Sequence, residues 1–216
     1  MSAPMILYGL SVSSASYRVR IALALKGLKV TTISKQLRDG EHRQEDFLKI
    51  NPQGFVPTLA LDDGTVLTQS MAIIEYLEET YPEPALLPQQ SLARAHVRAM
   101  SQVIACDIHP LNNLRVLRYL ETDLNHDKPT RDAWYRHWVH SGFIALEGFL
   151  NSHTGAGDFC FGDAPTLADV CLVPQVFNAR RFAVDLTPFP GIVRIDAHCR
   201  KMAAFAGAAP ELQARG

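Results

Sequence analysis

"SVSSASYRVRIALALKG", residues 11–27, decides how this chain is read. Four hydroxyls (Ser11, Ser13, Ser14 and Ser16) crowd the entrance of a segment in which Val19, Ala22, Leu23 and Leu25 recur at helical spacing, and Gly27 marks its stop. Before it, "MILYG" (5–9) is a short apolar strand; after it, "LKVTTIS" (28–34) is rich in β-branched residues and reads as a second strand. Capping a helix takes one serine. A cluster of them at a helix N-terminus, where unpaired N–H groups and partial positive charge gather, also offers donors to an anion.

Beyond the second strand, a polar stretch carries His42 and leads into "NPQGFVPTLALDDGTVLTQS" (51–70). Here "TLAL" and "TVLT" flank Asp62-Asp63-Gly64, a strong hairpin signal. A helix begins at Ser70, turns Ile73, Ile74 and Leu77 inward and stops at Tyr81-Pro82. The order βαβ, irregular helix, ββα describes an α/β domain over residues 1–83. Pro82, Pro84 and Pro88 mark a linker. Strand signals then vanish, and residues 89–216 read as an all-α domain with long helices near 90–122, 130–152, 166–181 and 190–205.

Composition narrows the function. The 216 residues carry 21 Lys and Arg against 22 Asp and Glu, so no general field attracts nucleic acid or an anionic membrane. With 47% hydrophobic residues the chain can bury a real core. Met1–Tyr8 lacks the basic and apolar regions of a signal peptide, and no apolar run approaches the roughly 18 residues of a membrane span. Cys106, Cys160, Cys171 and Cys199 are scattered without a CxxC pair, as reduced thiols would be, so a soluble cytoplasmic protein is expected. His137 and His140 lie one helical turn apart but have no third ligand at matching spacing, and no metal is expected. Thr166-x-x-Asp169 is a capping-box arrangement that starts a helix and needs no catalytic reading.

Two short pairs complete the pattern. Val56-Pro57 precedes a strand; on spacing alone, a trans proline at a strand start is the plainer reading. A cis bond would instead turn the N–H and C=O of Val56 outward, as if to pair with an extended peptide. Gln69-Ser70 joins a strand to a helix, where Ser70 either caps or faces a carboxylate. Together "SSASYRVRIALALKG", "NPQGFVPTL" and "QSMAIIEYLEE" resemble the glutathione-binding domain of glutathione transferases, and the form SSxSxRVRIAL resembles the zeta class. In the second half, "CDIHPLNNLRVLRYLE", "GFIALEGFL", "FCFGDAPTLADVCLVPQVFNARRF" and "DLTPFPGIV" are similar to bacterial members of that class. The likeness runs over residues 5–210.

The resemblance implies a thioredoxin-like fold for residues 1–83 and a helical domain, 89–216, that contributes the electrophile pocket. It implies glutathione as cofactor, a small dicarboxylic keto acid as substrate and a homodimer; the charge balance and hydropathy predict no nucleic-acid or membrane partner, and the second substrate is expected between the domains, where pockets tend to form. Carried over by position, Val56, before a cis Pro57, pairs with the cysteinyl backbone of glutathione. Gln69 and Ser70 hold its γ-glutamyl end, and His42 meets its glycine carboxylate. Ser13 activates the thiol with Ser14 beside it, and His109 is a polar contact near the active site. Arg181 is the first choice for a carboxylate binder, with Arg18 and Arg115 as further candidates, since a guanidinium grips a carboxylate in two-pronged fashion.

A free thiol has a pKa of about 8.5, and a hydroxyl donor at the positive end of a helix lowers it. Each unit is worth about 1.4 kcal/mol to the thiolate. The implied activity is glutathione-dependent cis–trans isomerisation of maleylacetoacetate to fumarylacetoacetate, by thiolate addition, bond rotation and elimination. Maleylpyruvate isomerisation, a general transferase or dehalogenase activity, and non-catalytic glutathione binding are its rivals. One departure stands out: the family commonly carries arginine ahead of the paired serines, where this chain has Val12.

Overall fold

β1 (Ile6–Gly9) is the spine of a four-stranded sheet in the order β2-β1-β3-β4, with Leu7 fully buried at its centre. The computed structural model describes residues 5–152 and 157–213, so the first four residues of the N-terminal reading lie outside the described residues. β2 (Thr31–Ser34) runs parallel to β1, pairing Gly9 with Ser34. β3 (Thr58–Ala60) and β4 (Val66–Thr68) form the hairpin read from Asp62-Asp63-Gly64, and β3 lies antiparallel to β1 with Tyr8 opposite Thr58. Gly64 takes φ +87°, which the turn requires and glycine adopts without steric cost.

The parallel pair needs a crossover, which α1 (Ser14–Leu25) supplies. Val19, Ile21, Ala22 and Leu23 of α1 are buried, and α1 stops at Lys26-Gly27, where Gly27 has φ +67°. The irregular helical stretch resolves into a 3₁₀ turn, Glu41–Arg43, followed by α2 (Glu45–Ile50). α3 (Ser70–Thr80) buries Ile73, Ile74 and Leu77 as the spacing predicts. A buried ion pair, Lys26 Nζ to Glu78 Oε2 at 2.6 Å, ties the end of α1 to α3, and the same ammonium donates to the Pro84 carbonyl at 2.7 Å.

The chain divides into two compact units. One comprises the described residues of Met1–Ala85 together with those of Met202–Gly216; the other is Leu86–Lys201. The sequence gives no sign of the return of the C-terminal segment to the first unit. α9 (Ala203–Gly207) packs there with Phe205 fully buried, its carbonyl accepting from the Tyr17 hydroxyl at 3.2 Å. The helix expected over 190–205 is accordingly two: α8 (Pro190–Cys199) closes at Arg200 and Lys201, and Met202 is extended at the start of α9.

Among the described residues, helices joined by turns and loops build the second unit, and the helix expected over 90–122 is also interrupted. α4 (Ser91–Gln102) runs into a π-helical stretch, Val103–Ile108, and α5 (Leu114–Thr122) begins afresh after Asn113 caps it. Two causes are visible: His109 N–H bonds back five residues to Ile104, and Pro110 offers no N–H to continue the helix. α6 (Lys128–Ser152) accommodates this stretch at Gly142, where a Cβ would lie 2.3 Å from the Ile108 side chain. α7 (Leu167–Arg181) is the central helix and is buried on nearly all sides. Among the described residues no helix is long and apolar enough to cross a membrane, and no group of three His, Cys, Asp or Glu could hold a metal ion.

Candidate functional site

Strand register gathers the first unit's candidates at one end of the sheet. Gly9 ends β1, Thr58 opens β3 opposite Tyr8, and Thr68 closes β4 opposite Thr58. The loop after β1, the Val56-Pro57 pair before β3 and the Gln69-Ser70 pair after β4 therefore emerge together, where the crossover from β1 also begins. That is the end at which open α/β sheets bind ligands.

The four serines separate into different roles. Ser13 is the N-cap of α1: its backbone is extended, its Oγ accepts from Ser16 N–H at 3.3 Å, and its hydroxyl proton remains for donation. Ser14 is the first helical residue and is 3% exposed, whereas Ser13 is only half-buried. Ser16 is fully buried and accepts from Leu10 N–H at 3.4 Å, which fastens the loop onto the helix. Ser11 contributes its carbonyl, held by the Arg20 guanidinium at 2.9 Å. No acidic residue stands in the first turn of α1, so nothing within that turn offsets its positive end.

The Val56-Pro57 bond is cis, unlike the plainer reading from spacing. Asn51 organises this loop from beneath. It is 1% exposed, and its amide donates to Phe55 O and Thr58 Oγ1, both at 2.9 Å, while its Oδ1 accepts from Gln53 N–H at 3.0 Å. Gly54 brings His42 alongside: with φ +60°, a Cβ there would stand 2.7 Å from the His42 carbonyl, so glycine is required twice over. His42 is itself buried.

Gln69 adopts φ +68°, ψ +118°, a conformation costing a non-glycine residue on the order of 1–3 kcal/mol. Its amide donates to Gln53 Oε1 at 2.9 Å. Ser70 starts α3, 7% exposed, and its Oγ accepts from Arg18 NH1 at 3.4 Å. Arg18 thereby departs from its expected place as a substrate clamp. It is 1% exposed, on the side of α1 that meets α3, and its NH1 lies behind Ser70.

In the second unit, His109 is half-buried at the end of the π-helical stretch, and Arg115 is exposed in the first turn of α5. Arg181 is exposed at the C-terminal end of α7, its guanidinium 5.8 Å from the Phe182 ring, which stacks on Tyr135 with centroids 3.6 Å apart. Its neighbour Arg180 is committed to Asp196 at 2.7 Å. Thr166 and Asp169 form the capping box that the sequence suggests.

Asn51, Gln53 and Arg20 escaped the sequence reading. The two Arg20 contacts to Leu10 and Ser11 carbonyls depend on folding back along α1, and only the charge among apolar neighbours in "RVRIAL" hints at them. Asn51 had a weak signal in "NPQG", a polar run before a buried strand.

The profile of the glutathione S-transferase N-terminal domain matches residues 12–80, which include Ser13, Val56 and Ser70. A probable maleylacetoacetate isomerase of Vibrio cholerae is 47% identical, over 97% of this chain and 97% of its own. Among solved structures, the holo form of maleyl pyruvate isomerase, described as a bacterial glutathione S-transferase of the zeta class, superposes with a TM-score of 0.95 at 46% identity, covering 98% of this chain and 99% of that one. The maleylacetoacetate isomerase of Methylobacterium extorquens AM1, solved with bound malonate and GSH, gives 0.94 at 40% identity over 97% and 98%. Likeness of this extent, over nearly the whole of this chain and of its relatives, places the protein in the zeta class of the glutathione transferase family.

Proposed function

We propose that the protein is a glutathione-dependent cis–trans isomerase converting maleylacetoacetate to fumarylacetoacetate. The observation that carries this reading is the pairing of Ser13 with a helix N-terminus whose first turn holds no acidic residue, in a chain that is alike over nearly its whole length to isomerases of this chemistry. A relative solved with both GSH and the dicarboxylate malonate supports a site for a thiol cofactor and a doubly anionic partner.

The residues present suit glutathione, which brings a thiol and two carboxylates. Two helix N-termini, at Ser13 and Ser70, lie at the sheet end described above and favour negative charge. When bound, glutathione supplies a thiolate whose reversible addition to a conjugated double bond makes that bond single and free to turn. Ser13 donates its hydroxyl proton to the sulfur, and the end of α1 adds its field, so the anion is favoured near neutral pH. Ser14, buried beside it, supports the turn. Ser70 and Gln69 hold the γ-glutamyl end, with Arg18 orienting the Ser70 hydroxyl. The main chain of Val56, ahead of Pro57, pairs with the cysteinyl part, and His42 serves the glycine carboxylate. Arg181 grips a substrate carboxylate, Arg115 assists, and His109 contributes a polar contact.

The protein works as a cytoplasmic homodimer, which the family resemblance supports; light scattering on the purified protein tests the assembly. The substrate is tested by comparing turnover of maleylacetoacetate and maleylpyruvate, with and without glutathione, in one preparation. Preference for the first, lost when glutathione is withheld, is expected. Preference for maleylpyruvate would move the substrate assignment while keeping the chemistry. Turnover of neither, with glutathione still bound, would overturn the isomerase reading.

A further inference from the structure

Arg20 carries a charge into the first unit, and among the described residues its hydrogen bonds go to main-chain carbonyls. It is 8% exposed. Its Nε donates to Ala208 O at 3.0 Å, NH1 to Leu10 O at 3.3 Å and NH2 to Ser11 O at 2.9 Å. The Leu10 carbonyl also accepts from Ser13 N–H at 3.1 Å, so Arg20 holds the same oxygen that closes the turn into the α1 cap. At its other end, Ala208 belongs to the returning C-terminal segment, 188 residues away in sequence. Tyr17 reaches that segment too, through its hydroxyl to Phe205 O at 3.2 Å, and its ring lies 5.2 Å from the Arg20 guanidinium. Burial lowers the Arg20 pKa to about 10, opposed by Tyr17, which leaves the side chain charged at neutral pH.

A guanidinium needed only to anchor the C-terminal segment would have one useful arm. Here two of its three bonds go to the loop directly ahead of Ser13. We infer that Arg20 is a positioning residue for the thiol-activating end of α1, fixing Leu10 and Ser11, and through Leu10 the Ser13 backbone, against the C-terminal segment at Ala208. The inference rests on the role of Ser13 given above, but not on which electrophile is turned over. A planar fork suits this task because it meets carbonyls on two sides, which an ammonium on a flexible stem cannot do in one geometry.

Arg20→Met, Arg20→Lys and Tyr17→Phe, each in the full chain, test it by amide hydrogen exchange and by pH titration of the bound glutathione thiol through its thiolate absorbance. Arg20→Met is expected to speed exchange of the Ser13 amide by about tenfold or more, beyond any uniform change across the sheet. It should also raise the bound thiol's pKa by about half a unit or more, and lower kcat more than it weakens glutathione binding. Arg20→Lys should recover less than half of either effect. Tyr17→Phe should move both in the same direction by less. A folded Arg20→Met protein with unchanged Ser13 exchange and thiol pKa would overturn the inference, as would complete rescue by lysine. Should Arg20→Met not fold, the lysine and phenylalanine variants decide by the same two readouts. A wild-type protein that isomerises neither keto acid would defeat the functional reading alone, since exchange at Ser13 and the thiol titration require no electrophile.

Discussion

At the start of α7, Thr166 and Asp169 close the helix on itself. Asp169 is wholly buried; its Oδ2 accepts from Thr166 N–H and Oγ1–H at 2.7 and 2.8 Å, and its Oδ1 accepts from Cys160 N–H at 2.7 Å. Burial raises the carboxyl pKa, and these bonds pull against that rise. At the start of α1, Ser13 makes one cap bond of 3.3 Å, is half-buried, and has no carboxylate within its first turn. Both ends expose the same unsatisfied N–H groups and the same positive field. One carries its own counter-charge and is finished as a structure; the other lacks it and suits an anion brought from outside.

Removing Asp169 should produce the largest effect. Asp169→Ala strips three short hydrogen bonds, and a longer one from the Cys199 thiol at 3.9 Å, from a buried helix start, and destabilisation of about 3 kcal/mol or more is expected, since each donor left unsatisfied in the interior costs about 1–3 kcal/mol. Thermal unfolding measures it, and a melting temperature within a degree or two of wild type would show that α7 does not depend on its internal carboxylate. Ser13→Ala should do the reverse. Losing one cap costs about 1 kcal/mol of stability, whereas losing a donor to a thiolate costs about 1.5–3 kcal/mol, or roughly ten- to a hundred-fold in turnover. Glutathione affinity should fall much less than kcat. If Ser14→Ala, at a buried position, lowered turnover as much as Ser13→Ala, the donor would have to be reassigned.

The contrast between these helix ends was half legible in the sequence. T-x-x-D announces α7 because a capping box is local, and the serine cluster announces α1 for the same reason. The strands were legible from β-branched runs, and the hairpin from Asp62-Asp63-Gly64. What escaped is set by contacts distant along the chain. Arg18 reads as a charged residue available to substrate, yet packing against α3 buries it behind Ser70. The return of α9 to the first unit depends on Phe205 finding a place on α1, which no periodicity reveals. The break at 103–113 hides because a π-helical stretch keeps apolar residues near helical spacing while shifting the bonding by one residue.

The far end of α7 extends the comparison to the electrophile. Arg181 is exposed there while Arg180 is held by Asp196. Arg181→Ala should raise KM for a dicarboxylate by about tenfold, the scale of one charge-assisted contact, and barely change KM for a neutral electrophile. Equal losses on both substrates would remove its role as a carboxylate clamp and leave α7 purely structural at both ends.

The smallest effect is expected from restoring the family's arginine ahead of the cap. Val12 is 39% exposed and directly precedes Ser13, so a longer side chain enters solvent rather than the core. A guanidinium there adds positive charge beside an end of α1 that already favours anions. Because the site is solvated, its Coulombic gain is screened and modest. Val12→Arg should therefore lower KM for maleylacetoacetate by about two- to five-fold, with a weaker effect at high salt and no change for a neutral electrophile. Steady-state kinetics at two ionic strengths reads this directly. A fall in KM for charged and neutral substrates alike would mean that Val12→Arg acts through the loop's conformation, and the open end of α1 would then owe its selectivity to shape more than to charge.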